Sequence, residues 1–282
     1  ASSEPSEQVP FDSVEFDHTN AGWLDIEGNL ALNPDADTDV DNLVNYIRGE
    51  QVAGRRNRVV DYDGDGTVET IRLGDIVHST PTPAAVPAEA YDLLALDLSY
   101  FEFRNEYRNR RQVVYIGAND GMIHAFNGGF FEEINDAGEV KFGFTEDGPD
   151  GAASHPLGSE LWAYVPRALL PHLKWLARND YSHVYYMDLK PRLFDARIFP
   201  DDTDHPDGWG TVLVVGMRFG GGNDTNGIIV DAQSDGRGSS NTDGDDADDV
   251  QTKSAYVIMD VTNPEKPPKL IAEVSPPGLN LT

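Results

Sequence analysis

The sequence lacks cysteine altogether and has few basic residues. With no cysteine among 282 residues, disulfide frameworks, thiolate metal sites and cysteine nucleophiles are excluded. The 21 Lys and Arg residues stand against 49 Asp and Glu residues, which gives a formal net charge of −28. Such a surface repels phosphate backbones and anionic lipids, so nucleic acid is not an expected partner. Two alternatives explain the charge equally: divalent-cation binding, or the acidic, solvated surface of a protein from a saline habitat.

Long hydrophobic runs are also missing. No stretch approaches the length of a transmembrane helix, so no membrane span is expected. The chain begins with Ala1, and its first residues lack the charged and apolar regions of a signal peptide. We therefore expect a mature, processed or excerpted piece of a longer protein. Hydrophobic residues make up 39% of the chain, which indicates a globular chain that can bury a core.

Residues 1–50 are expected to form a polar lead-in segment with one short helix. The helix is predicted at residues 40–48, where apolar residues recur at intervals of three or four. Asp39 or Asp41 can cap its start, and Gly49 is a typical stop signal.

Residues 51–282 are expected to form an all-β domain. Short apolar runs alternate with Gly, Asp and Asn turns, and one further helix is predicted around residues 168–177. Because helices do not alternate with strands, a sandwich or propeller is favoured over a parallel α/β sheet. Two acidic insertion loops are predicted at 127–156 and 223–252. The predicted strands are 113–116, 122–126, 161–165, 183–187, 211–215, 255–261 and 270–274.

Four segments carry a family resemblance. They are Leu-Gly-Asp-Ile-Val-His-Ser-Thr-Pro at 73–81, Tyr-Ile-Gly-Ala-Asn-Asp-Gly-Met-Ile-His-Ala-Phe at 115–126, Gly-Ser-Glu-Leu-Trp-Ala-Tyr-Val-Pro at 158–166 and Tyr-Val-Ile-Met-Asp-Val-Thr-Asn-Pro at 256–264. In order and content they resemble the C-terminal β-propeller domain of the PilY family, large surface proteins that assist type IV pilus biogenesis. The resemblance covers residues 40–282, and its most specific pieces are Asp75–Pro81 and Gly117–Phe126.

The resemblance implies an incomplete β-propeller, of the architecture that quinoprotein dehydrogenases share, with one or two short helices. It implies a non-enzymatic, extracellular protein at the cell surface or pilus tip that assists pilus assembly, retraction and adhesion. The implied partners are pilin or minor pilin subunits, host or other surfaces, and the rest of its own propeller or another chain. The chain departs from the family in lacking the large N-terminal adhesive region, in the insertion at 223–252 and in stopping at Thr282.

An enzyme remains the alternative function. The turn at Asn119–Gly121 and the strand at 158–162 also resemble repeats of quinoprotein dehydrogenases. Such an enzyme would hold pyrroloquinoline quinone, a calcium ion and an Asp base in a central funnel. The sequence offers no further signature of this cofactor, and a partial propeller would not close a funnel. We therefore expect no catalytic residues.

Residues 61–69 carry the first candidate metal site. Carboxylates stand at positions 1, 3, 5 and 9 of this segment, a glycine at 6, and a threonine that offers its backbone carbonyl at 7, which is the spacing of the first half of an EF-hand loop. Position 12 is Arg72 rather than a bidentate glutamate, so we expect a short calcium loop on a β scaffold. The alternative is an acidic surface turn, whereas the resemblance implies a regulatory calcium loop in this domain. The expected ligands are Asp61, Asp63, Asp65, Thr67 and Glu69.

A second candidate calcium loop lies inside the acidic insertion. Its spacing fits the same template, but its low-complexity context equally fits an ordinary solvated loop. Its candidate ligands are Asn241, Asp243, Asp245, the carbonyl of Ala247, and Asp249.

Three histidines in or near the family segments are expected to be structural. His78, His124 and His183 form no His-x-His or His-x-x-x-His pair, which a transition-metal site on one element would favour. We therefore expect packed or hydrogen-bonded side chains at these positions.

Overall fold

A computed structural model describes most of the chain between residues 36 and 275. The described residues are 8, 10–11, 24, 36–136, 139–148, 154–222, 227, 229–231 and 249–275, with the backbone alone at 36–39, 135–136, 229–231 and 249–250. Every strand pair among them is antiparallel, and the helices are few and short, which confirms the all-β class. None of the described helices has the length and apolar character needed to cross a bilayer.

The described residues form short helices and thirteen strands. The helices are α1 (Ala36–Ile47), α2 (Tyr91–Leu94), α3 (Leu98–Glu106) and α4 (Leu173–Leu176), with 3-10 turns at Arg167–His172 and Pro206–Gly208. The strands are β1 (Val59–Val60), β2 (Glu69–Thr70), β3 (Thr82–Ala84), β4 (Gln112–Gly117), β5 (Ile123–Asp136), β6 (Glu139–Thr145), β7 (Glu160–Tyr164), β8 (Arg192–Arg197), β9 (Trp209–Gly216), β10 (Ile229–Asp231), β11 (Asp249–Gln251), β12 (Tyr256–Asp260) and β13 (Lys269–Val274).

Two four-stranded meanders form the body of the molecule. In the first, β3, β4, the first half of β5, and β7 lie side by side in chain order. In the second, β8, β9, β12 and β13 do the same, and the β10–β11 pair is an excursion between its middle strands. Each meander therefore needs only short connections between most neighbouring strands, as antiparallel pairing allows.

The turn at Asn119–Gly121 joins β4 to β5 as the sequence predicts. Gly121 has a positive φ of 90°, which glycine adopts without steric cost. The Asp120 carboxylate accepts a hydrogen bond from the Met122 amide at 3.1 Å, and the Gly121 amide donates to the Ala118 carbonyl. The local turn chemistry thus fixes the register of the hairpin.

The segment 127–156 was expected as a long acidic loop, and this expectation is wrong. Strand β5 continues to Asp136, and β6 pairs back along it. Aromatic side chains meet across this hairpin: the Phe131 ring lies 6.0 Å from Phe142 and 5.4 Å from Phe144, centroid to centroid. Cross-strand aromatic pairs stabilise a ladder even where the intervening residues are acidic.

The insertion at 223–252 keeps its two ends together, as the sequence predicts. Its described parts, β10 and β11, pair with each other. Beside them, the Ser254 amide donates to the Gly222 carbonyl at 2.9 Å, and the Ser254 hydroxyl donates to the Gly220 carbonyl. An insertion whose ends are adjacent costs little additional loop-closure entropy.

The predicted helices need two corrections. Helix α1 begins at Ala36, so Asp39 and Asp41 lie within it and cannot cap its start. Its end is confirmed by Gly49, whose φ is 105°. The described chain also holds α2 and α3, which exceeds the one or two helices expected; Asp97 caps α3 by accepting hydrogen bonds from two backbone amides.

Residues 183–187 do not form the predicted strand. This segment packs against the β4–β5 turn instead: the Tyr186 amide donates to the side chain of Asn119 at 2.9 Å, and the Met187 amide to the Ala118 carbonyl. The apolar alternation of the segment therefore reflects burial of Tyr186 and Met187, without a strand ladder.

One hydrophobic core joins both meanders to α1 and α4. It contains Val113, Tyr115 and Ile123 from the first meander together with Leu213 and Val257 from the second. Apolar residues of α1 and α4 belong to the same buried cluster. The core thus fixes the end of α1, next to which the β1–β2 hairpin begins.

Candidate functional site

The candidate metal loop connects the strands of a small hairpin. Val60 of β1 lies opposite Glu69 of β2, so residues 61–68 form the connecting loop. Gly64 and Gly66 have positive φ angles of 76° and 87°, a conformation that side chains disfavour. Alternating glycines therefore let the chain turn tightly between the aspartates.

The structure brings three of the predicted ligands together. Carboxylate oxygens of Asp61, Asp63 and Asp65 lie within 4.8 Å of one another, and all three side chains are exposed. Backbone amides orient them: Gly64 donates to Asp61 at 2.7 Å, and Thr67 donates to Asp65 at 2.6 Å. Three negative charges at this separation repel one another, and a cation among them removes that repulsion.

Of the other two predicted ligands, the Thr67 carbonyl stays a prediction. Glu69 lies on β2 outside the group of three clustered carboxylates. The Oε2 atom of Glu69 is buried and has no hydrogen-bond partner among the described residues. A buried acceptor without a partner loses its hydration, which a bound cation can replace. An all-oxygen set of this charge fits a hard cation such as calcium.

The second candidate calcium loop cannot be placed on the structure. Asn241, Asp243, Asp245 and Ala247 lie outside the described residues. Asp249 begins strand β11, where the backbone alone is described. This second loop therefore stays a prediction.

The three histidines are hydrogen-bonded structural residues, as expected. His78 Nδ1 lies 2.6 Å from Asp188, and His183 Nε2 lies 2.7 Å from Asp75. These pairs tie the 73–81 segment to the chain after residue 182.

His124 is buried between two carboxylates, those of Asp120 and Glu160. Burial opposes its protonation, but the hydrogen bonds to these two carboxylates outweigh burial and raise the pKa of His124 to about 9. The imidazole is therefore a buried cation at neutral pH, and it ties the β4–β5 turn to β7.

A group of arginines beside the hairpin was missed by the sequence analysis. Arg56, Arg58 and Arg72 line one cavity next to β1 and β2. A signal was available, since Arg55-Arg56-Asn57-Arg58 is a dense basic run in a chain with only 21 basic residues. The position of Arg72 beside this run depends on the pairing of β1 with β2, so the run itself does not predict it.

Comparisons with known proteins give relatives of one kind. The type IV pilus biogenesis factor PilY1 of Pseudomonas aeruginosa (strain UCBPP-PA14) is 31% identical over 215 residues, which are 71% of this chain and 15% of that protein. A PilY1 homologue of Xylella fastidiosa (strain Temecula1) is 30% identical over 181 residues, 63% of this chain and 12% of that protein. The chain thus spans a small part of the curated relatives it matches.

Two further comparisons complete this result. The crystal structure of the Pseudomonas aeruginosa PilY1 C-terminal domain aligns with a TM-score of 0.34 at 21% identity, over 69% of this chain and 25% of that one. No family model matches the chain. The family resemblance of the four sequence segments is confirmed by the curated relatives: the chain is a homologue of one part of the PilY type IV pilus biogenesis factors.

Proposed function

We propose that this chain is part of a non-enzymatic type IV pilus biogenesis factor that acts outside the cell, at the surface or pilus tip. The observation that carries the proposal is the 31% identity to PilY1 over 71% of the chain. Assistance to pilus assembly and retraction, adhesion, and contacts with pilin or minor pilin subunits follow from that homology as parts of the same proposal.

The test of this role is genetic. Deletion of the gene in its own organism is expected to remove or strongly reduce surface pili, and antibody against this chain is expected to detect it in the sheared surface fraction. Reintroduced wild-type gene should restore the pili. Unchanged pilus number and retraction in the deletion strain would contradict the proposal.

The two four-stranded meanders are proposed to be consecutive blades of a β-propeller. Propeller blades are four-stranded antiparallel sheets, and both meanders have four strands adjacent in chain order. An experimental structure of the longer polypeptide tests this: the meanders should be successive blades about one central axis. Two meanders packed face to face as a sandwich would contradict it.

Calcium is proposed as the ligand of the loop at 61–69, held by the carboxylates of Asp61, Asp63 and Asp65. Glu69 from strand β2 and the Thr67 carbonyl from the end of the loop are proposed to complete the set. The cation supplies charge neutralisation and ties the two sides of the loop together. Because it binds the folded loop, it stabilises the fold by mass action, by about 2.7 kcal/mol at a hundredfold excess over its dissociation constant.

Calorimetric titration with calcium tests the loop. The wild type is compared with the double variant Asp63→Ala/Asp65→Ala, which should lose heat of binding and calcium-dependent thermal stabilisation. The matched control is Glu102→Ala/Glu106→Ala, which removes two exposed carboxylates from α3 and should bind calcium like the wild type. Equal calcium affinity in the wild type and the Asp63→Ala/Asp65→Ala variant would refute the site.

A further inference from the structure

A cavity of about 380 Å³ lies between the end of α1, the β1–β2 hairpin and the β4–β5 turn. Arg56, Arg58 and Arg72 are among the residues that line it. They converge in a chain whose formal net charge is −28, where an average surface patch is acidic. A cluster of three basic side chains is therefore unusual for the surface of this protein.

Tyr46, at the end of α1, organises two of the arginines. The Arg58 guanidinium lies over the Tyr46 ring at 3.7 Å from its centroid and donates to the carbonyls of Tyr46 and Glu50 at 2.6 and 2.9 Å. Arg56 Nε donates to the Tyr46 hydroxyl at 3.3 Å, and its guanidinium lies 4.1 Å from the centroid of Tyr181. Both groups are thus held in fixed positions by stacking and hydrogen bonds.

These contacts leave most of the donors unused. Each guanidinium has five N–H donors, and Arg72 uses one of them on the Gly49 carbonyl at 3.2 Å. Nε of Arg58 is buried without a hydrogen-bond partner in the described part of the chain. The hydrogen bonds of Arg56, Arg58 and Arg72 go to carbonyl and hydroxyl oxygens, and the described residues form no ion pair with any of the three.

The acidic side chains that line the cavity are already occupied. Asp120 accepts hydrogen bonds from the Gly74 amide at 2.7 Å and from His124. Asp75 accepts from His183 and from Asn119 at 2.7 and 3.2 Å. These carboxylates therefore do not neutralise the arginines, although their charge faces the same space.

The charge of Arg58 is disfavoured by its surroundings. Burial lowers the pKa of Arg58 most; Tyr46 opposes this effect, the neighbouring Arg56 and Arg72 lower the pKa further, and Asp120 has a smaller opposing effect. Like charges held together in a partly desolvated place raise the free energy of the fold. An anion in the cavity would remove this cost.

We propose that the cavity binds a carboxylate carried by an apolar group. The planar forks of Arg56, Arg58 and Arg72 match a carboxylate, and the remaining lining includes Ile47, Val60, Leu73, Met122 and Leu176. The mixture of basic and acidic lining residues favours a monoanion, because Asp75 and Asp120 would repel the second charge of a phosphate. The source is either a small molecule or the carboxyl end of a peptide, which share this chemistry.

The primary test is a calorimetric titration of the whole chain with N-acetyl-L-phenylalanine. The same compound as its carboxamide is the matched ligand, and it should bind at least about tenfold more weakly because the charge-assisted hydrogen bonds are lost. Inorganic phosphate is a third probe and should bind more weakly than the carboxylate. Equal affinity for carboxylate and carboxamide, or preference for phosphate, would overturn the proposal.

The two sources are distinguished by a peptide ending in Leu-Phe and by the same peptide amidated at its C-terminus and carrying an internal glutamate. Tighter binding of the free C-terminus than of N-acetyl-L-phenylalanine assigns a peptide end, and equal or weaker binding assigns a small molecule. Both results support the cavity as a carboxylate site. Equal affinity for the amidated peptide and for the peptide with a free C-terminus would contradict recognition of a terminal carboxylate.

Variants link the binding to the cavity. Arg58→Met keeps an unbranched side chain against Tyr46 but removes the charge, and it should lower the affinity for the carboxylate at least about tenfold. Arg58→Lys keeps the charge without the planar fork, so its affinity should lie between those of the wild type and Arg58→Met. Arg192→Met, at an exposed position of β8, is the control and should bind normally. Wild-type affinity in Arg58→Met would refute the assignment. The titrations of all variants are repeated in EDTA, which removes calcium, so that the carboxylate affinity is measured independently of the calcium loop.

Discussion

Charged groups have opposite surroundings in two regions of this molecule. Around the family segments at 73–81 and 117–126, hereafter the motif layer, each named carboxylate meets a protein partner: Asp75 meets His183, Asp120 meets His124, and Asp188 meets His78. In the β1–β2 hairpin region, the clustered carboxylates accept hydrogen bonds from backbone amides alone among the described residues, and the arginines donate there to neutral oxygens alone.

The difference separates charges that are paired within the fold from charges for which we propose a ligand. A paired charge in the motif layer positions one segment against another, and its loss leaves the partner uncompensated. In the hairpin region the like charges repel one another, so the fold gains little from them in the absence of a ligand. The proposed cation site at the loop of the hairpin and the proposed anion site at its base are therefore close in sequence but would bind ligands of opposite charge.

The largest expected effect is the loss of a carboxylate from the motif layer. Asp120→Ala removes the acceptor of the Gly74 and Met122 amides and leaves His124 as a buried cation with Glu160 alone. We expect a loss of about 3–5 kcal/mol in the free energy of unfolding, measured by urea denaturation.

The matched change in the hairpin region is Asp63→Ala, measured in EDTA. Because the Asp63 carboxylate is exposed and repelled by its neighbours, its loss should alter the free energy of unfolding by less than about 0.5 kcal/mol. Equal destabilisation by Asp63→Ala and Asp120→Ala would abolish the distinction between the two regions.

The second prediction concerns the alkaline limb of the stability curve. His124 has a pKa of about 9 in the fold, against about 6.5 in the unfolded chain, so the folded state binds the extra proton between these values. Its stabilisation is complete below pH 6.5 and is lost as pH rises through 9, by about 3 kcal/mol in total. Denaturation of the wild type and His124→Gln at several pH values should show this loss in the wild type alone. A parallel loss in both proteins would contradict the assignment.

The third prediction concerns the acid limb and a buried histidine outside the motif layer. Burial, with a smaller effect of Lys174, lowers the pKa of His172 to about 4. The unfolded chain binds the proton first, so stability falls as pH drops below 6.5, by about 2 kcal/mol between pH 7 and 5. His172→Phe should have a flatter acid limb than the wild type, as measured by denaturation. An equally steep limb in His172→Phe would assign the acid sensitivity to other groups.

The sequence predicts those parts of the fold that depend on local signals. The turn at Asn119–Gly121 and the end of α1 at Gly49 both follow from backbone conformations that glycine favours. The proximity of Asp61, Asp63 and Asp65 is predictable for the same reason, because ligands two residues apart on one loop need no distant contact.

The parts that were missed depend on distant contacts. Helix α3 has a weak sequence pattern, and its Tyr100 and Phe103 are buried against Trp209, more than a hundred residues away. Strand β8 reads Arg-Leu-Phe-Asp-Ala-Arg, and its Asp195 is buried because Tyr100 and Thr211 donate to it. Neither contact is visible in a local pattern.

The same limit applies to the candidate sites. Strand pairing places Glu69 opposite Val60 and apart from the clustered carboxylates, which its position in the loop template does not reveal. The arginine cavity likewise exists only because the hairpin returns Arg72 to the side of Arg58. Sequence spacing predicts ligands that lie within one turn, whereas the positions of residues outside that turn depend on strand pairing.

A small effect on stability is also expected of Arg58→Met. The change removes two hydrogen bonds to the carbonyls of Tyr46 and Glu50 at the end of α1, where a positive charge is favourable, and it removes the contact with the Tyr46 ring. It also removes the repulsion from Arg56 and Arg72 and the buried Nε without a partner. Because these contributions oppose each other, we expect a net change of about 1 kcal/mol or less in the free energy of unfolding by urea denaturation. A loss comparable to that of Asp120→Ala would show that the arginines hold the fold as the motif layer does, and the contrast between the two regions would then fail at its weakest point.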